Sequence, residues 1–490
     1  MKILLASSEV HPYSKTGGLA DMAGSLAKAL VRAGHKVAVL TPLYSGIRER
    51  FPGLKKFDWR IDLPLGNRRV QADILTVEPL PGLTIYFVDQ PAFFNRPGLY
   101  TEKGADYSDN AERFIFFSKC VVQMARYLPW HPEIVHINDW QCGLVPLLML
   151  GQKLWDGWLE QPRTVLTIHN LAFQGLFDHN KYPLTNLPWE FFNPRGVEFY
   201  GQLSCLKAGI VYADTVTTVS PTYAREITTV EQGCGLDDLL RKRQNSLAGI
   251  LNGVDYEEWN TNNNSFIKQP YSAGNLEGKA VDKAELQKLF RLPVDPRLPL
   301  FGIITRLADQ KGLDILLSAL EEMLSAPMQF ALLGSGSDVF QKAFLDLARR
   351  HPKKVSVRIG FEHSLSHQIE AGCDFYLMPS KFEPCGLNQM YSLRYGTIPI
   401  VRATGGLDDS VIDITEDVKK ANGIKFTDYS SRALAKAIRK ALALYAEPEL
   451  MRHYQVNGME ADFSWDRAVK RYEELYGLPR HETGKPKRVK

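Results

Sequence analysis

Short apolar runs alternate with helix-spaced apolar positions along the whole chain. Ile3-Leu4-Leu5-Ala6 reads as a buried parallel strand, and Leu19, Met22, Ala23, Leu26 and Leu30 then recur at helical spacing. The same rhythm predicts strands near 2–7, 36–41, 84–88, 133–138, 164–168 and 214–219. It resumes near 299–304, 328–333, 354–359, 374–378, 397–401 and 423–426. Apolar strands separated by helix-length segments imply parallel sheets covered on both faces. So many strands exceed one comfortable open sheet. The pattern predicts an α/β chain of two doubly wound domains.

Linker-like composition at 241–245 (Arg-Lys-Arg-Gln-Asn), at Asn252-Gly253-Val254-Asp255 and at 260–265 places the boundary near 245–255. The expected domains are 1–248 and 249–464, followed by a helix at about 465–478 that could pack on either. The stretch 170–205 is rich in Phe, Tyr, Trp and Pro, as functional insertions often are. Residues 479–490 carry Arg480, Lys485, Lys487, Arg488 and Lys490 beside Gly484 and Pro486, and read as a mobile, solvated basic tail rather than a nucleic-acid site.

Length, at 490 residues, allows two or three domains with substantial cores, and 44% hydrophobic against 23% charged residues is ordinary for a globular protein. A formal charge of +4 gives little reason to expect a polyanionic partner, so no nucleic acid is expected. The six cysteines form no Cys-x-x-Cys pair and no pattern with histidines, which argues against a zinc site or disulfide framework and for a reducing, cytoplasmic location. The opening residues have no long apolar run or cleavage site, and no stretch has the length of a membrane span. No signal peptide and no membrane partner are expected.

The candidate chemistry sits at strand ends, where ligands bind in open α/β sheets. Lys15-Thr16-Gly17-Gly18-Leu19-Ala20-Asp21 lies between the first strand and helix. Such a turn points backbone N–H groups at a phosphate, Lys15 adds charge, and Asp21 suits the helix dipole. The same residues also suit a helix start with a solvated lysine. Arg306 and Lys311 are five apart on a loop entering a helix and could reach one diphosphate, or could be surface cations. Glu383-Pro384-Cys385-Gly386-Leu387 follows the strand at 374–378 and precedes a helix expected near Leu387. That helix start can hold phosphate, and Glu383 can bind sugar hydroxyls or steady positive charge; an ordinary strand-to-helix connection would look the same. Cys385 reads as a packed small residue, with no histidine nearby to make it a thiolate. Thr404-Gly405-Gly406, Asp139 and His169 also end strands. There is no Asp-x-Asp, no Gly-x-Gly-x-x-Gly after the first strand and no P-loop motif. No metal and no cofactor are expected.

Together these segments resemble the bacterial glycogen synthase and plant starch synthase family of retaining GT-B glycosyltransferases, over nearly the whole chain. The resemblance rests on residues 15–21, His136-Ile137-Asn138-Asp139-Trp140, Thr167-Ile168-His169-Asn170, Asn252-Gly253-Val254-Asp255, Arg306 with Lys311, 383–387 and 404–406. It implies two Rossmann-like domains facing across a deep cleft, the first binding glycogen or another α-1,4-glucan and the second ADP-glucose or UDP-glucose. It also implies that the last helix crosses back to the first domain. Lys15, Gly18, Arg306 and Lys311 would hold the diphosphate, with backbone N–H groups from Gly386 and Leu387. Glu383 and His169 would hold the donor glucose, with Asp139 near the reacting centre. Gly17, Asp21, Asn252, Cys385, Thr404, Gly405 and Gly406 would line the site, and Phe361 would stack on the base. Two positions depart from the family pattern: Asn388 replaces a usual Thr, and Phe361 a usual Tyr.

The mechanism implied is front-face transfer, in which the leaving diphosphate helps deprotonate the incoming 4-hydroxyl. No carboxylate is clearly paired with Glu383 in sequence, so double displacement is not supported. Two alternatives stay open. One is another retaining GT-B glucosyltransferase with a small acceptor, which need not share the Lys15 loop. The other is a non-catalytic glucan-binding protein, which would need the aromatic stretch but not the cations. A glucan phosphorylase fits less well, because nothing resembles its pyridoxal-phosphate lysine.

Overall fold

The computed structural model describes residues 1–477 and divides into two compact units. The basic tail expected at 479–490 lies outside the described residues. The first unit comprises Met1–Val219, Ala224–Gly253 and the described residues from Trp465; the second comprises Ser220–Tyr223 and Val254–Ser464.

In the first unit the strands β1 (Lys2–Ala6), β2 (Lys36–Pro42), β3 (Lys55–Leu65), β4 (Arg68–Leu80) and β5 (Leu83–Asp89) come first. The short hairpin β6 (Thr101–Glu102) and β7 (Ala105–Asp106) leads to β8 (Ile134–Asn138) and β9 (Arg163–Ile168). The short strands β10 (Leu176–Asp178), β11 (Glu198–Phe199) and β12 (Gln202–Ser204) pair antiparallel in the aromatic stretch, before β13 (Thr215–Thr218) and β14 (Leu247–Gly249). The main sheet runs β14-β13-β9-β8-β1-β2-β5-β4-β3. It is parallel from β14 to β5, and its last two pairings are antiparallel. The expectation of wholly parallel sheets therefore fails at this edge. Along β3, exposed Asp58, Arg60, Asp62 and Pro64 alternate with Ile61, Leu63 and Leu65, which turn inward. This two-residue period marks a sheet wet on one face, and no apolar run announces it.

The helix Trp465–Tyr476 packs on this unit. Tyr476 Oη lies 2.8 Å from His136 Nδ1, and His136 Nε2 lies 2.6 Å from Thr167 Oγ1, which meets Thr217 Oγ1 at 2.6 Å. His136 is fully buried, and burial pushes its imidazole down to about 3, so it is a neutral hydrogen-bonding strut.

The second unit holds β15 (Leu300–Leu307), β16 (Gln329–Gly336), β17 (Val355–Ile359), β18 (Phe375–Met378), β19 (Ile398–Arg402) and β20 (Ile424–Phe426). They form an all-parallel sheet in the order β17-β16-β15-β18-β19-β20. Chain order reverses between β15 and β18, as it does between β1 and β8 in the first unit. That reversal opens a crevice at the strands' carboxyl ends. Phe301, Phe330, Phe375, Leu377 and Ile400 fill the core beneath it. Arg306 is not on a loop as the sequence suggested: β15 continues through it, in register with Ser335.

Candidate active site

In the first unit, the segment after β1 folds around a buried carboxylate that the sequence reading did not single out. Glu9 accepts hydrogen bonds from Thr16 N–H, from Thr16 Oγ1–H at 2.6 Å, from Gly17 N–H at 3.3 Å and from Tyr100 Oη–H at 2.7 Å. Gly17 caps the helix Gly18–Arg32 in extended backbone. The Thr16 and Gly17 amides are thus already satisfied by an internal anion. An added phosphate would meet the amides from Gly18 onward, which lack intrahelical acceptors. The exposed Lys15 ammonium is ion-paired with Asp21 Oδ1 at 2.7 Å. Being half in water, that pair is weak and easily exchanged for a ligand anion.

Asp139 and His169 follow the neighbouring strands β8 and β9. Asp139 adopts the left-handed region, with φ of 53°, and its Oδ1 accepts from His169 N–H at 2.7 Å. Burial pushes its carboxyl up to about 7, against the pull of the His169 and Asn170 amides. Asn138 Nδ2 donates to Ala6 O at 3.0 Å, so Asn138 Oδ1 is left to accept from His169 Nε2–H at 3.0 Å. Burial lowers the His169 imidazole to about 3. The ring is therefore neutral near neutral pH and presents Nδ1 as an acceptor, suited to a hydroxyl rather than to a phosphate charge. Asn252, also in this unit, is only 5% exposed and its Oδ1 has no hydrogen-bond partner.

In the second unit, three strand ends are bound into one surface. Gly312 has φ of 67°, and a Cβ there would lie 1.9 Å from Pro379 O. Gly405 has φ of 47°, and its Cβ would lie 2.0 Å from Glu383 O. Only glycine lets these backbones touch. Lys381 N–H donates to Gln310 O at 2.8 Å, and Gly406 N–H to Glu383 O at 3.1 Å. On this platform Lys311 Nζ meets Glu383 Oε2 at 2.6 Å, and Ser380 Oγ–H reaches the same oxygen at 3.0 Å. Glu383 is 7% exposed. The helix after it is Asn388–Arg394, with Leu387 as its N-cap, so Gly386 and Leu387 stand at its entrance.

Arg306 is exposed near the end of β15. Phe361 is 71% exposed just beyond β17. β17 lies two strand spacings from β15, about 10 Å, a reach that a nucleotide covers. Cys385 and Thr404 are buried, Cys385 against Gly406 and Thr404 as the N-cap of the helix Gly405–Ser410. Asn388, the departure from the family pattern, turns its Nδ2 inward, 2.9 Å from Ile304 O and 2.6 Å from Tyr376 Oη. It ties strand ends together, and the amide hydrogens are not left for a ligand.

The expected site residues thus form two clusters. Lys15, Gly17, Gly18, Asp21, Asp139 and His169 gather at the first unit's strand-order reversal, with Asn252 in the same unit. Arg306, Lys311, Glu383, Cys385, Gly386, Leu387 and Thr404-Gly405-Gly406 gather at the second's, with Phe361 two strands away. Glu9 was absent from the sequence reading. The only signal for it was a carboxylate shortly past a buried strand.

Residues 2–242 match the starch synthase catalytic domain family, and residues 286–458 match the glycosyl transferases group 1 family. A glycogen synthase of Anaeromyxobacter dehalogenans is 47% identical over 477 residues, covering 97% of this chain and 98% of its own. A glycogen synthase of Myxococcus xanthus is 48% identical over 480 residues, covering 97% and 99%. The catalytic domain of starch synthase IV from Arabidopsis thaliana, solved with ADP and acarbose, superposes with a TM-score of 0.87 at 33% identity, covering 97% of this chain and 98% of that one.

Proposed function

The chain belongs to the glycogen and starch synthase family of GT-B glucosyltransferases, and from that premise we propose that it moves glucose from ADP-glucose to the non-reducing 4-hydroxyl of an α-1,4-glucan, with retention at the anomeric carbon. The observation that carries this reading is the Lys311–Glu383 pair at the second unit's strand-order reversal. A cation and a carboxylate meet there as one donor molecule needs them, diphosphate on one side and sugar on the other. The adenine nucleotide in the Arabidopsis relative supports ADP-glucose over UDP-glucose. The exposed rings of the first unit, Trp189 and Tyr200 among them, suit a glucan better than a small acceptor.

In this mechanism the bond from C1 to the diphosphate oxygen breaks while the acceptor O4 bonds C1 on the same face. The 4-hydroxyl proton passes to the departing diphosphate oxygen. Lys311, Arg306 and Lys15 take up the charge that grows there, and the entrance amides of Gly386 and Leu387 add two donors. Glu383 steadies the positive character at C1. Its recorded partners are Lys311 and Ser380, whereas double displacement uses a second carboxylate about 5–5.5 Å away. Neutral His169 accepts a donor hydroxyl through Nδ1. Positioning and fixed charge supply the acceleration.

The test is incorporation of labelled glucose into glycogen from ADP-glucose and UDP-glucose in parallel, with a chelator present throughout. Efficient incorporation from ADP-glucose supports the proposal. Preference for UDP-glucose overturns the nucleotide assignment. Transfer only to small sugar acceptors overturns the glucan assignment, and activity that returns only with a divalent ion overturns the metal-free mechanism.

A further inference from the structure

Away from the strand ends, the second unit places two histidines and a carboxylate around one point. His363 and His367 are four apart on the helix His363–Gly372, so both project from one face. Their Nε2 atoms are 3.2 Å apart, and His363 Nε2 is 3.5 Å from Glu258 Oε1. All three ligand atoms lie within 4.8 Å of one another. Around a tetrahedral zinc with bonds of about 2.0–2.1 Å, neighbouring ligand atoms stand about 3.3 Å apart. Two edges of this triangle already have that length.

The surroundings fit a ligand role better than a chance hydrogen bond. His367 is fully buried, and its Nδ1 is 2.8 Å from Tyr395 Oη. Asn264 Nδ2 donates to the same hydroxyl at 2.7 Å and to Asn260 O at 3.0 Å. His367 Nδ1 is held by Tyr395 Oη and lies 3.1 Å from Asn264 Nδ2, so Nε2 is the ring nitrogen that faces His363. Outer partners of this kind fix the ring orientation of metal-binding histidines. Trp259 stacks on His367 at 4.2 Å on one face and on Tyr391 at 3.8 Å on the other, so the ring cannot swing away. His363 and Glu258 stand at the surface, giving an ion a way in and leaving the fourth position to water.

We propose that Glu258, His363 and His367 form a binding site for a divalent transition-metal ion of the zinc class, separate from the glucosyl-transfer groups. The ion would clamp the Glu258–Trp259 segment to the helix that begins two residues past Phe361. Entry displaces the proton shared between the two Nε2 atoms; exchanged through solvent, it is carried on Nδ1 of the same ring, so each imidazole keeps one proton.

Cobalt(II) titrated into the full chain tests this, read by the visible absorption of four-coordinate cobalt, with zinc then added as competitor. One equivalent of cobalt should develop that band, and zinc should abolish it. His363→Ala and Glu258→Ala change exposed side chains, so folding, checked by circular dichroism, should persist. The band should disappear in His363→Ala, and the affinity should fall at least tenfold in Glu258→Ala. Zinc should also raise the melting temperature of the parent and not of His363→Ala. No band at one equivalent, or a band unchanged by His363→Ala, would show a hydrogen-bonded imidazole pair and no site.

Discussion

Lys311 Nζ lies 2.6 Å from Glu383 Oε2, so this lysine at the second unit's strand-order reversal is neutralised before any donor arrives. A ligand diphosphate must share that lysine with the carboxylate. Lys311→Ala should lower kcat on the order of 10²-fold, and Glu383→Gln by about 10²–10³-fold, since both charges are assigned to the transition state. Each single change also strands a buried charge, which destabilises by up to about 3–5 kcal/mol. The double variant Lys311→Met/Glu383→Gln should regain much of the lost melting temperature and none of the turnover. Recovery of turnover in the double variant would make the pair structural only.

Arg306 separates charge from stability more cleanly, because its side chain is exposed. Arg306→Ala should leave the melting temperature within a degree or two and lower kcat/KM on the order of 10²-fold. Lowering the turnover of small and large acceptors alike would locate the loss in the donor half. A loss confined to glucan would refute the diphosphate assignment.

Asp139 should impose a recognisable pH dependence. Its carboxyl is pushed up to about 7 in the folded protein, whereas an unfolded Asp titrates near ~3.9. Between those values the folded state holds the extra proton, so this group's contribution is complete below the lower value and is lost as pH rises through about 7. Neutral His169 works in the opposite direction, its contribution growing with pH from about 3 up to ~6.5, its unfolded value. Asp139→Asn should therefore melt progressively higher than the parent as pH rises from 4 to 8. An equal offset at every pH would show that the carboxyl titrates normally.

Glu9→Gln should loosen the first unit's loop. An amide cannot accept from Thr16, Gly17 and Tyr100 as a carboxylate does. Bonds to a charged acceptor are worth about 1.5–3 kcal/mol each. The expected result is a lower melting temperature and a KM for the nucleotide donor raised about tenfold, with kcat changed less. An unchanged KM would mean that the Thr16–Gly17 segment takes no part in donor binding.

Asn388→Thr restores the residue usual in the family and should cost stability here. Threonine is too short to bridge Ile304 O and Tyr376 Oη together. A loss of about 1 kcal/mol with turnover kept within threefold is expected, measured by thermal melting and glucose incorporation. A gain in turnover would show that the hydroxyl belongs at the ligand after all.

What the sequence revealed depended on whether a segment carries its own signal. Apolar runs such as Val135-His136-Ile137 and Phe375-Tyr376-Leu377 are buried on both faces, and each lies in an observed strand. The antiparallel pair β3 and β4 was hidden because every second residue is polar and solvent-facing, so no run forms. Glycines 312 and 405 mark backbone contacts, which explains why the motifs around them could be read. Glu9 satisfies amides seven and eight residues away, and Asn388 bonds a carbonyl 84 residues away. Neither relation leaves a trace in local spacing.

The hydrogen bond between Tyr476 and His136 has a consequence for synthesis on the ribosome. The first unit needs a helix that is translated only after the roughly two hundred residues Val254–Ser464 of the second. At about 5–20 residues per second that is a wait on the order of ten to forty seconds. During it, His136 and the part of the first unit that the helix Trp465–Tyr476 covers stand uncovered on a nascent chain. Ribosome-associated chaperones would find their binding surface there, and the order of translation, rather than the strength of either core, would set when the first unit becomes resistant to proteolysis.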